Sequence, residues 1–394
     1  MSPPWHPEFV FVVCQVGAET SLKRDVAVRQ PTWRPAFARP GLVTFKLPAP
    51  AADPDAFAWT APLARTAGFS LGQVAGDRLG RLVEDLWQLP QVHAFGASRE
   101  IADVHVWQRD AAPPGKHGFE PGPTPLAEEA RRLILAQAPP ALHRSPWRPY
   151  ARQRWTLDVM LVEPHQWLVG CHRKNSRVAT WPGGVPPLER PAGAPSRAYL
   201  KMAEALLWSA LPIVPGQVVV ELGCSPGGAA QALLDAGLHV VGVDPAEVSE
   251  AVRQHPRFTH VRRKSHQLPK QALAEAQWLC ADMNVAPRYM LDAVEEVVQR
   301  KSPSIRGMLL TVKLASWELL DSLPACLERI RGWGFRDLRV RQLAFNAQEV
   351  CVAVMRTRGQ RRVLRSTTRA RRLRYDPPAS CPPPSHAADL PAPE

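Results

Sequence analysis

The second half of the chain alternates between short apolar runs and amphipathic stretches of helical length. The runs predict strands over residues 218–222, 239–243, 278–281 and 307–314, and the stretches predict helices over 197–210, 229–236, 289–300 and 317–332. Strands that alternate with helices favour a Rossmann-like α/β fold with a doubly wound, mostly parallel sheet. Two last apolar runs, 336–342 and 350–356, have no helix between them and predict an antiparallel pair at the edge of that sheet.

The first half of the chain is less regular. Apolar runs at 9–16, 41–47 and 101–107 predict strands, and a hairpin is predicted across residues 163–165. Helical spacing occurs at 18–29, 81–89 and 126–137, which together predict a smaller α/β or α+β module. Proline and glycine crowd residues 181–195, where we place the domain boundary. The predicted domains are therefore 1–185 and 191–358, followed by a basic and then proline-rich tail, 359–394, expected to be disordered.

Composition narrows the class of protein. The 394 residues carry a formal charge of +13, which is compatible with an RNA partner but fits a solvated basic surface equally well. Seven cysteines without a C-x-x-C pair indicate free thiols in a cytoplasmic protein, and no histidine or cysteine cluster suggests a metal site. No apolar run reaches the ~18 residues that a membrane span needs, and no leader peptide is evident. A monomer is the favoured state.

The segment ELGCSPGG, residues 221–228, joins a predicted strand to a predicted helix. Glycines allow a tight turn there, and the helix start offers free N–H groups to a ligand. Neither the G-x-G-x-x-G dinucleotide pattern nor a Walker A lysine is present. Asp244 closes the next strand, where a carboxylate can accept hydrogen bonds from two ribose hydroxyls. This combination favours S-adenosylmethionine, bound by Glu221, Gly223, Ser225, Pro226, Gly227, Gly228, Asp244 and Asp282; the alternative is a packing turn with a helix cap.

Charged residues also stand at the ends of four predicted elements. Lys201 lies on the helix before the first parallel strand, and Glu349 begins the last strand. Asp282 and Lys313 each close an apolar strand, at the edge where open α/β sheets bind their ligands. Burial of a lone charge in such a strand would be costly, so these residues are expected to have partners or a function.

The motifs SRAYLK, ELGCSPGG, VDP, CADMN, LLTVKL and QEVCVAVM resemble those of the FtsJ-type 2′-O-ribose RNA methyltransferases. The segment RPAGAPSRAYLKMAEA, with the N-terminal FVFVVCQVGAETSLKRDV and FARPGLVTFK, is similar to the RlmM-like 23S rRNA ribose methyltransferases, which carry a THUMP-type front module. The resemblance covers residues 190–356 strongly and residues 1–180 more loosely. It implies methylation of a ribose 2′-hydroxyl in RNA, most specifically 23S rRNA, without a metal.

The same resemblance implies a catalytic tetrad of Lys201, Asp282, Lys313 and Glu349. A ribose 2′-hydroxyl has a pKa far above 7, so its deprotonation needs a positioned base. Neighbouring lysines are expected to lower each other's pKa, which would let Lys313 act as the base while Lys201 positions the hydroxyl. The two carboxylates would then hold the lysines in place.

Two departures from the family pattern concern the cofactor. Ala229 stands where the family commonly has tryptophan, and Lys264, Ser265 and His266 occupy the region where relatives place an acid near the adenine. Two other functions therefore stay open. One is a non-catalytic RNA-binding protein with a degenerate methyltransferase fold; the other is an RNA base methyltransferase, although the N-P-P-Y motif typical of that class is replaced here by DMNVAP.

Overall fold

A computed structural model describes residues 5–57, 61–142, 147, 152–268, 273–300 and 305–357. These residues form two seven-stranded sheets, one in the front half of the chain (residues 5–173) and one in the rear half (residues 196–357). The predicted tail, 359–394, lies outside the described residues. The sheets fall on either side of residues 181–195, and the exact division into domains stays a prediction.

The front half contains a mixed, mainly antiparallel sheet with the order β2-β3-β1-β4-β7-β6-β5. Within this sheet β5 and β6 are parallel, and the other pairs of adjacent strands are antiparallel. The strands β6 and β7 form the predicted hairpin. Its elements in chain order are β1 (Phe9–Val13), α1 (Glu19–Arg29), β2 (Arg34–Arg39), β3 (Leu42–Lys46), β4 (Thr66–Ala75), α2 (Leu79–Gln88), α3 (Pro90–Ser98), β5 (Ile101–Gln108), α4 (Pro125–Ala136), β6 (Trp155–Glu163) and β7 (Gln166–Arg173).

The rear half contains the predicted doubly wound sheet, with the order β10-β9-β8-β11-β12-β14-β13. The first five strands in this order are parallel, and β14 is antiparallel to both β12 and β13. Its elements are α5 (Ala198–Ser209), β8 (Val218–Leu222), α6 (Gly228–Asp235), β9 (His239–Val243), α7 (Glu250–Arg253), β10 (Phe258–Val261), β11 (Ala276–Ala281), α8 (Pro287–Val298), β12 (Gly307–Lys313), α9 (Leu323–Gly332), β13 (Asp337–Arg341) and β14 (Glu349–Met355).

This topology fixes where a ligand can bind. The chain runs outward from β8 to β10 and then returns to place β11 on the other side of β8. The order of strands therefore reverses between β8 and β11, and a crevice opens at their carboxyl ends. The glycine turn follows β8 and Asp282 follows β11, so both predicted sites flank this crevice.

Apolar layers cover both faces of the rear sheet, as its uninterrupted apolar strands require. Val220 and Leu222 face a large buried cluster that continues into the front half. Val219 and Cys224 face a second cluster built with α5 and α6. The helix that carries Lys201 is thus fixed by packing rather than by its own propensity.

Two further observations concern the chain as a whole. Among the described residues, no helix combines the length and apolarity needed to cross a membrane. The described cysteines are free thiols, and all of them except the half-buried Cys326 are buried.

Candidate active site

The strand ends bring the four charged residues of the predicted tetrad together. Lys313 is the last residue of β12 and Glu349 the first of β14, and the antiparallel register places them directly opposite each other. Asp282 follows β11, the parallel neighbour of β12 on its other side. Lys201 lies in the first turn of α5, which packs over this edge. Residues separated by up to 148 positions thus meet because of sheet order.

The four side chains alternate in charge around a closed ring. Lys201 Nζ lies 2.6 Å from Asp282 Oδ2 and 3.2 Å from Glu349 Oε1. Lys313 Nζ lies 3.0 Å from Asp282 Oδ1 and also donates to Glu349 Oε2. The Lys313 side chain is 23% exposed, whereas those of Lys201, Asp282 and Glu349 are 11%, 10% and 4% exposed. Lys313 is therefore the member of the ring most accessible to an incoming substrate.

Electrostatics within the ring favours the charged forms of Asp282 and Lys313. Burial acts most strongly on Asp282 and by itself would raise its pKa, but the two lysines together lower the pKa below its usual value. Burial would likewise lower the pKa of Lys313, yet Asp282 and Glu349 outweigh it and raise the pKa. The expectation that the paired lysines lower each other's pKa therefore does not hold for Lys313, because the sequence could not weigh two carboxylates in direct contact with it.

The glycine turn bends as predicted between β8 and α6. Gly223 has φ +79° and Gly227 has φ +111°, a region that residues with a Cβ rarely adopt. A Cβ at Gly223 would lie 2.9 Å from Met283 Cγ and 3.1 Å from the carbonyl oxygen of Asp282. The turn after β8 is thus packed closely against the segment after β11, where the tetrad carboxylate lies.

A cleft of about 170 Å³ joins the turn to the tetrad. Of the predicted residues, Gly227, Asp244 and Glu349 do not line it, while the following do: Lys201, Glu221, Gly223, Ser225, Pro226, Gly228, Asp282 and Lys313. Ala229, at the position of the family's tryptophan, also contributes to its wall. Ser196, two residues before α5, lines the cleft as well.

Glu221 gives this cleft an unusual chemical feature. Its side chain is 1% exposed, and neither carboxylate oxygen has a hydrogen-bond partner among the described residues. Burial raises its pKa well above the usual value, and the nearby charges of Asp282 and Asp244 add to this. A buried acceptor without a donor is costly, so the site is suited to a ligand that brings a cationic or N–H group to Glu221. The α-amino group of S-adenosylmethionine fits that requirement.

Asp244 lies at the end of β9, as predicted, but its carboxylate supports the turn directly. Oδ2 accepts from the backbone N–H of Ser225 at 3.2 Å, and Oδ1 accepts from that of Ala246 at 2.8 Å. Each oxygen retains a second lone pair, so these bonds are compatible with an additional ribose contact. The ribose role of Asp244 remains a prediction.

The region beyond β10 has no acid at the expected adenine position. Ser265 and His266 fall in a short 3-10 helix, and the backbone N–H of Lys264 donates to Gln267. Residues 269–272, which follow directly, lie outside the described part of the chain.

Three buried side chains in the front half form a group that the sequence spacing did not indicate. Potential ligand atoms of His105, Asp158 and His172, which lie on β5, β6 and β7, fall within 4.8 Å of one another. Both ring nitrogens of His172 already have partners, Asp158 at 2.6 Å and the Ala179 carbonyl at 2.7 Å. These hydrogen bonds account for the arrangement of His172, and we assign the group no ligand.

Comparison with known proteins agrees with the geometry of the rear half. The FtsJ-like methyltransferase family matches residues 194–360. Ribosomal RNA large subunit methyltransferase M from Xanthomonas axonopodis pv. citri is 32% identical over 244 residues, which cover 59% of this chain and 68% of that protein. The protein of the same name from Xanthomonas euvesicatoria is 30% identical over 191 residues, covering 46% of this chain and 54% of the relative. That from Alkalilimnicola ehrlichii is 36% identical over 113 residues, covering 27% and 31%.

The chain spans less than two thirds of the second and third relatives. Among solved structures, the match to TrmN from Thermus thermophilus covers 88% of this chain and 99% of that one, at 14% identity and a TM-score of 0.33. With 32% identity extending over 68% of the first relative, and an FtsJ-like domain across the rear half, the chain belongs to the family of ribosomal RNA large subunit methyltransferase M.

Proposed function

We propose that the protein transfers a methyl group from S-adenosylmethionine to a ribose 2′-hydroxyl in RNA, most specifically in 23S rRNA. One observation carries the proposal: a closed Lys–Asp–Lys–Glu ring lies at the end of a cleft whose other wall is the glycine turn. Membership of the family and the names of its relatives support the same reaction.

The residues of the cleft fit the cofactor. Residues 223–226 and Gly228 of the glycine turn line the cleft, and Glu221 would pair with the amino group of the methionine portion of the cofactor. Bound S-adenosylmethionine would supply a methyl group already activated on a sulfonium. The role left to the protein is to hold the 2′-oxygen in line with that methyl group, since alignment alone can provide much of the rate.

In this proposal Lys313 accepts the proton of the 2′-hydroxyl and Lys201 positions the oxygen. Asp282 and Glu349 each contact both lysines and keep the two ammonium groups close despite their repulsion. Because the carboxylates raise the pKa of Lys313, it must lose its own proton before it can act as a base. When bound RNA excludes water from Lys313, the pKa of Lys313 should fall and its proton should leave more readily, since desolvation lowers the pKa of an amine.

The front half supplies the proposed RNA contacts. Residues 1–185 would form a THUMP-like RNA-binding module ahead of the methyltransferase domain, 191–358. Exposed cations on its first helix and strands, which could contact phosphates, are Arg24, Arg34, Arg39 and Lys46. We further propose that the protein is a monomer and acts in the cytoplasm, where bacteria make and assemble their rRNA.

The two alternative functions are less well supported. A degenerate module would be expected to lose charges of the tetrad, yet all four are present and in contact. A base methyltransferase would need a pocket motif after β11, where this chain has Asp282, Met283 and Asn284 instead of N-P-P-Y.

The reaction is tested by mapping ribose methyl groups in total RNA from cells with and without the gene. We expect one 2′-O-methyl group in 23S rRNA to disappear on deletion and to return with the wild-type gene. Lys313→Met should fail to restore it while the purified variant still binds S-adenosylmethionine in calorimetry. Lys116→Met, the same change at an exposed lysine of the front half, should restore it fully. Deletion without loss of any ribose methyl group, or full activity of Lys313→Met, would contradict the proposal.

A further inference from the structure

The segment between β13 and β14, residues 342–348, ends at the tetrad residue Glu349 and is held from several sides. We call it the Glu349 loop. Within the loop, the Asn346 side-chain amide donates to the Glu349 carbonyl at 3.3 Å, and the Ala347 N–H donates to Glu349 Oε1 at 3.4 Å. Because Oε1 is also the oxygen that contacts Lys201, displacement of this loop would alter the ring itself.

Front-half groups contact the beginning of the loop. The backbone N–H of Gln342 donates to the Pro62 carbonyl at 2.6 Å, and its buried side chain donates to Gln15 Oε1. The same side-chain amide also contacts the Ala347 carbonyl at 3.2 Å, which fastens the start of the loop to its end. The loop is therefore attached to the front half where it leaves β13.

Arg197 makes a second connection, from the residue that precedes α5. Its guanidinium donates twice to Glu120 of the front half, at 2.7 and 3.0 Å, and once to the Phe345 carbonyl, at 2.8 Å. The front-half backbone approaches so closely that a Cβ at Gly115 would lie 2.7 Å from Arg197 Nε. Only an arginine offers a planar fork for the carboxylate and a further N–H for the carbonyl.

The same helix holds the loop from inside. Glu204 is fully buried, and its two oxygens accept from the backbone N–H groups of Ala344 and Phe345 at 2.9 and 3.0 Å. The Phe345 residue is thus bound at its N–H by Glu204 and at its carbonyl by Arg197. Both anchors lie on or beside α5, which also carries Lys201, so helix and loop form one unit around the tetrad.

We propose that Arg197 is a positioning residue that couples the docking of the front half, through Glu120, to the position of Glu349. This inference rests on the proposed function, because its consequence for catalysis requires that the tetrad be the catalytic site. Weakening the Arg197–Glu120 contact should slow the chemical step. It should leave cofactor binding intact, because the cleft that the glycine turn lines does not include Arg197 or Glu120.

The test compares full-length Arg197→Lys, Glu120→Gln and the double variant with the wild type. Single-turnover methylation of an unmodified 23S rRNA transcript is measured with S-adenosylmethionine and RNA both saturating. We expect about a tenfold fall in the rate constant for Arg197→Lys, since small misplacements of reacting groups have effects of this order. The dissociation constants for cofactor and RNA should stay within about twofold of wild type. The double variant should be no slower than the slower single variant if both residues act through one contact.

Hydrogen exchange provides a readout that does not depend on activity. In both single variants we expect the amides of the Glu349 loop, including Phe345, to exchange about tenfold faster, because the loop opens more readily once its anchor is weakened. If the wild type does not methylate the transcript, the proposed function fails, while faster exchange would still support the coupling. Unchanged exchange in Glu120→Gln would overturn the coupling whatever the activity.

A matched control pair lies on the surface of the same front half. Arg132 and Glu129 form the same two-pronged contact, at 2.7 and 3.0 Å, within α4. Arg132→Lys and Glu129→Gln should change neither rate nor exchange. The inference is also wrong if Arg197→Lys keeps the wild-type rate, if it weakens cofactor binding as much as it slows the reaction, or if the effects of the two single variants multiply in the double variant.

Discussion

At the scale of a single residue, the Glu221 carboxyl indicates a binding site because it is buried without a hydrogen-bond donor among the described residues. Its carboxyl lies at the end of a buried strand, and neither oxygen meets a donor among the described residues. Burial, followed by the charges of Asp282 and Asp244, raises the pKa of Glu221 well above its usual value. The folded protein therefore retains a proton on Glu221 at pH values where the unfolded chain has lost it.

This proton makes stability depend on pH in a predictable direction. Where the folded state binds more protons than the unfolded state, the free energy of unfolding falls as pH rises, by up to about 1.4 kcal/mol per pH unit for one group. The window begins near 4.5, the ordinary pKa of a glutamate in an unfolded chain, and extends upward to the raised pKa of the folded state. Glu221→Gln removes this group, so its stability relative to wild type should increase as pH rises above about 5. Urea titrations of both proteins at several pH values measure the difference.

The same variant separates stability from ligand binding. An amide cannot pair with the amino group of S-adenosylmethionine as a carboxylate does, so Glu221→Gln should bind the cofactor at least about tenfold more weakly in calorimetry. Glu328→Gln, at a side chain 70% exposed, serves as the control and should change neither property. A stability difference that is flat across the pH range would show that Glu221 is ionised in the folded protein.

The sequence indicated the charged residues of the site, but it did not indicate the residues that hold the neighbouring loop in place. Asp282 and Lys313 are conspicuous because each ends an apolar strand, and the family motifs add Lys201 and Glu349. Arg197 and Glu204 could not be inferred, because their partners lie in irregular segments far along the chain. Hydrogen bonds to backbone groups such as those of Phe345 leave no pattern in the side chains.

At the scale of elements, periodicity predicted the rear sheet well, because parallel strands buried on both faces are apolar throughout. The antiparallel pair β13 and β14 was also predicted, although β14 lies inside the sheet, between β12 and β13. The predicted helix over 317–332 is divided into a 3-10 helix, residues 317–322, and α9, where Pro324 enters the second position of the new helix. Proline has no N–H to donate to the carbonyl four residues earlier and its ring clashes with that carbonyl, so a continuous α-helix cannot pass through Pro324.

Other elements escaped prediction for identifiable reasons. The strand β2 contains Pro35 and is largely exposed at the edge of the front sheet, so it shows no apolar alternation. The strand β10 has only four residues, too few for a periodic signal. The helix α3 begins at Pro90, directly after α2, so the two helices have no polar linker between them.

The crossing of α5 and α6 provides an element-scale prediction about the site. A Cβ at Gly228, the first residue of α6, would lie 2.2 Å from Ser196 Oγ and 2.8 Å from the Ser196 carbonyl oxygen. Alanine ordinarily stabilises a helix relative to glycine by about 0.5–1 kcal/mol. Here the contact with backbone prevents an easy adjustment, and overpacking costs about 1–3 kcal/mol. Gly228→Ala should therefore lower the free energy of unfolding in urea and slow methylation, since α5 must shift together with Lys201.

A second glycine tests whether the effect arises from the crossing. Gly80 lies in α2, and no heavy atom would come within 4 Å of an added Cβ there. Gly80→Ala should leave activity unchanged and raise the free energy of unfolding by up to about 1 kcal/mol. Equal effects at the two positions would contradict the packing argument.

At the scale of the whole molecule, buried polar groups join the two halves. Arg65 is fully buried in the front half and forms a two-pronged ion pair with Asp110, with the second bond at 3.2 Å. Its Nε donates to the Gly183 carbonyl at 3.0 Å, and its own carbonyl accepts from Arg341 of the rear half at 2.6 Å. The segment that links the halves and the strand that precedes the Glu349 loop are thus both held at Arg65.

Breaking the Arg65–Asp110 pair should therefore weaken the molecule at the junction of its halves. Asp110→Asn removes the charge that compensates a buried guanidinium, and loss of one partner of a buried ion pair costs about 3–5 kcal/mol. The ion pair between Arg109 and Glu163, at 2.7 Å, is a matched control because the Glu163 side chain is 51% exposed. Glu163→Gln should lower the free energy of unfolding by at most about 1 kcal/mol. Urea unfolding, followed by tryptophan fluorescence, measures the stability of both variants.

Hydrogen exchange of the Glu349 loop should accelerate in Asp110→Asn alone, because Arg341 immediately precedes that loop and loses a fixed partner. Equal stabilities for the two variants would mean that Arg65 does not depend on Asp110, and that the junction is held by apolar packing instead.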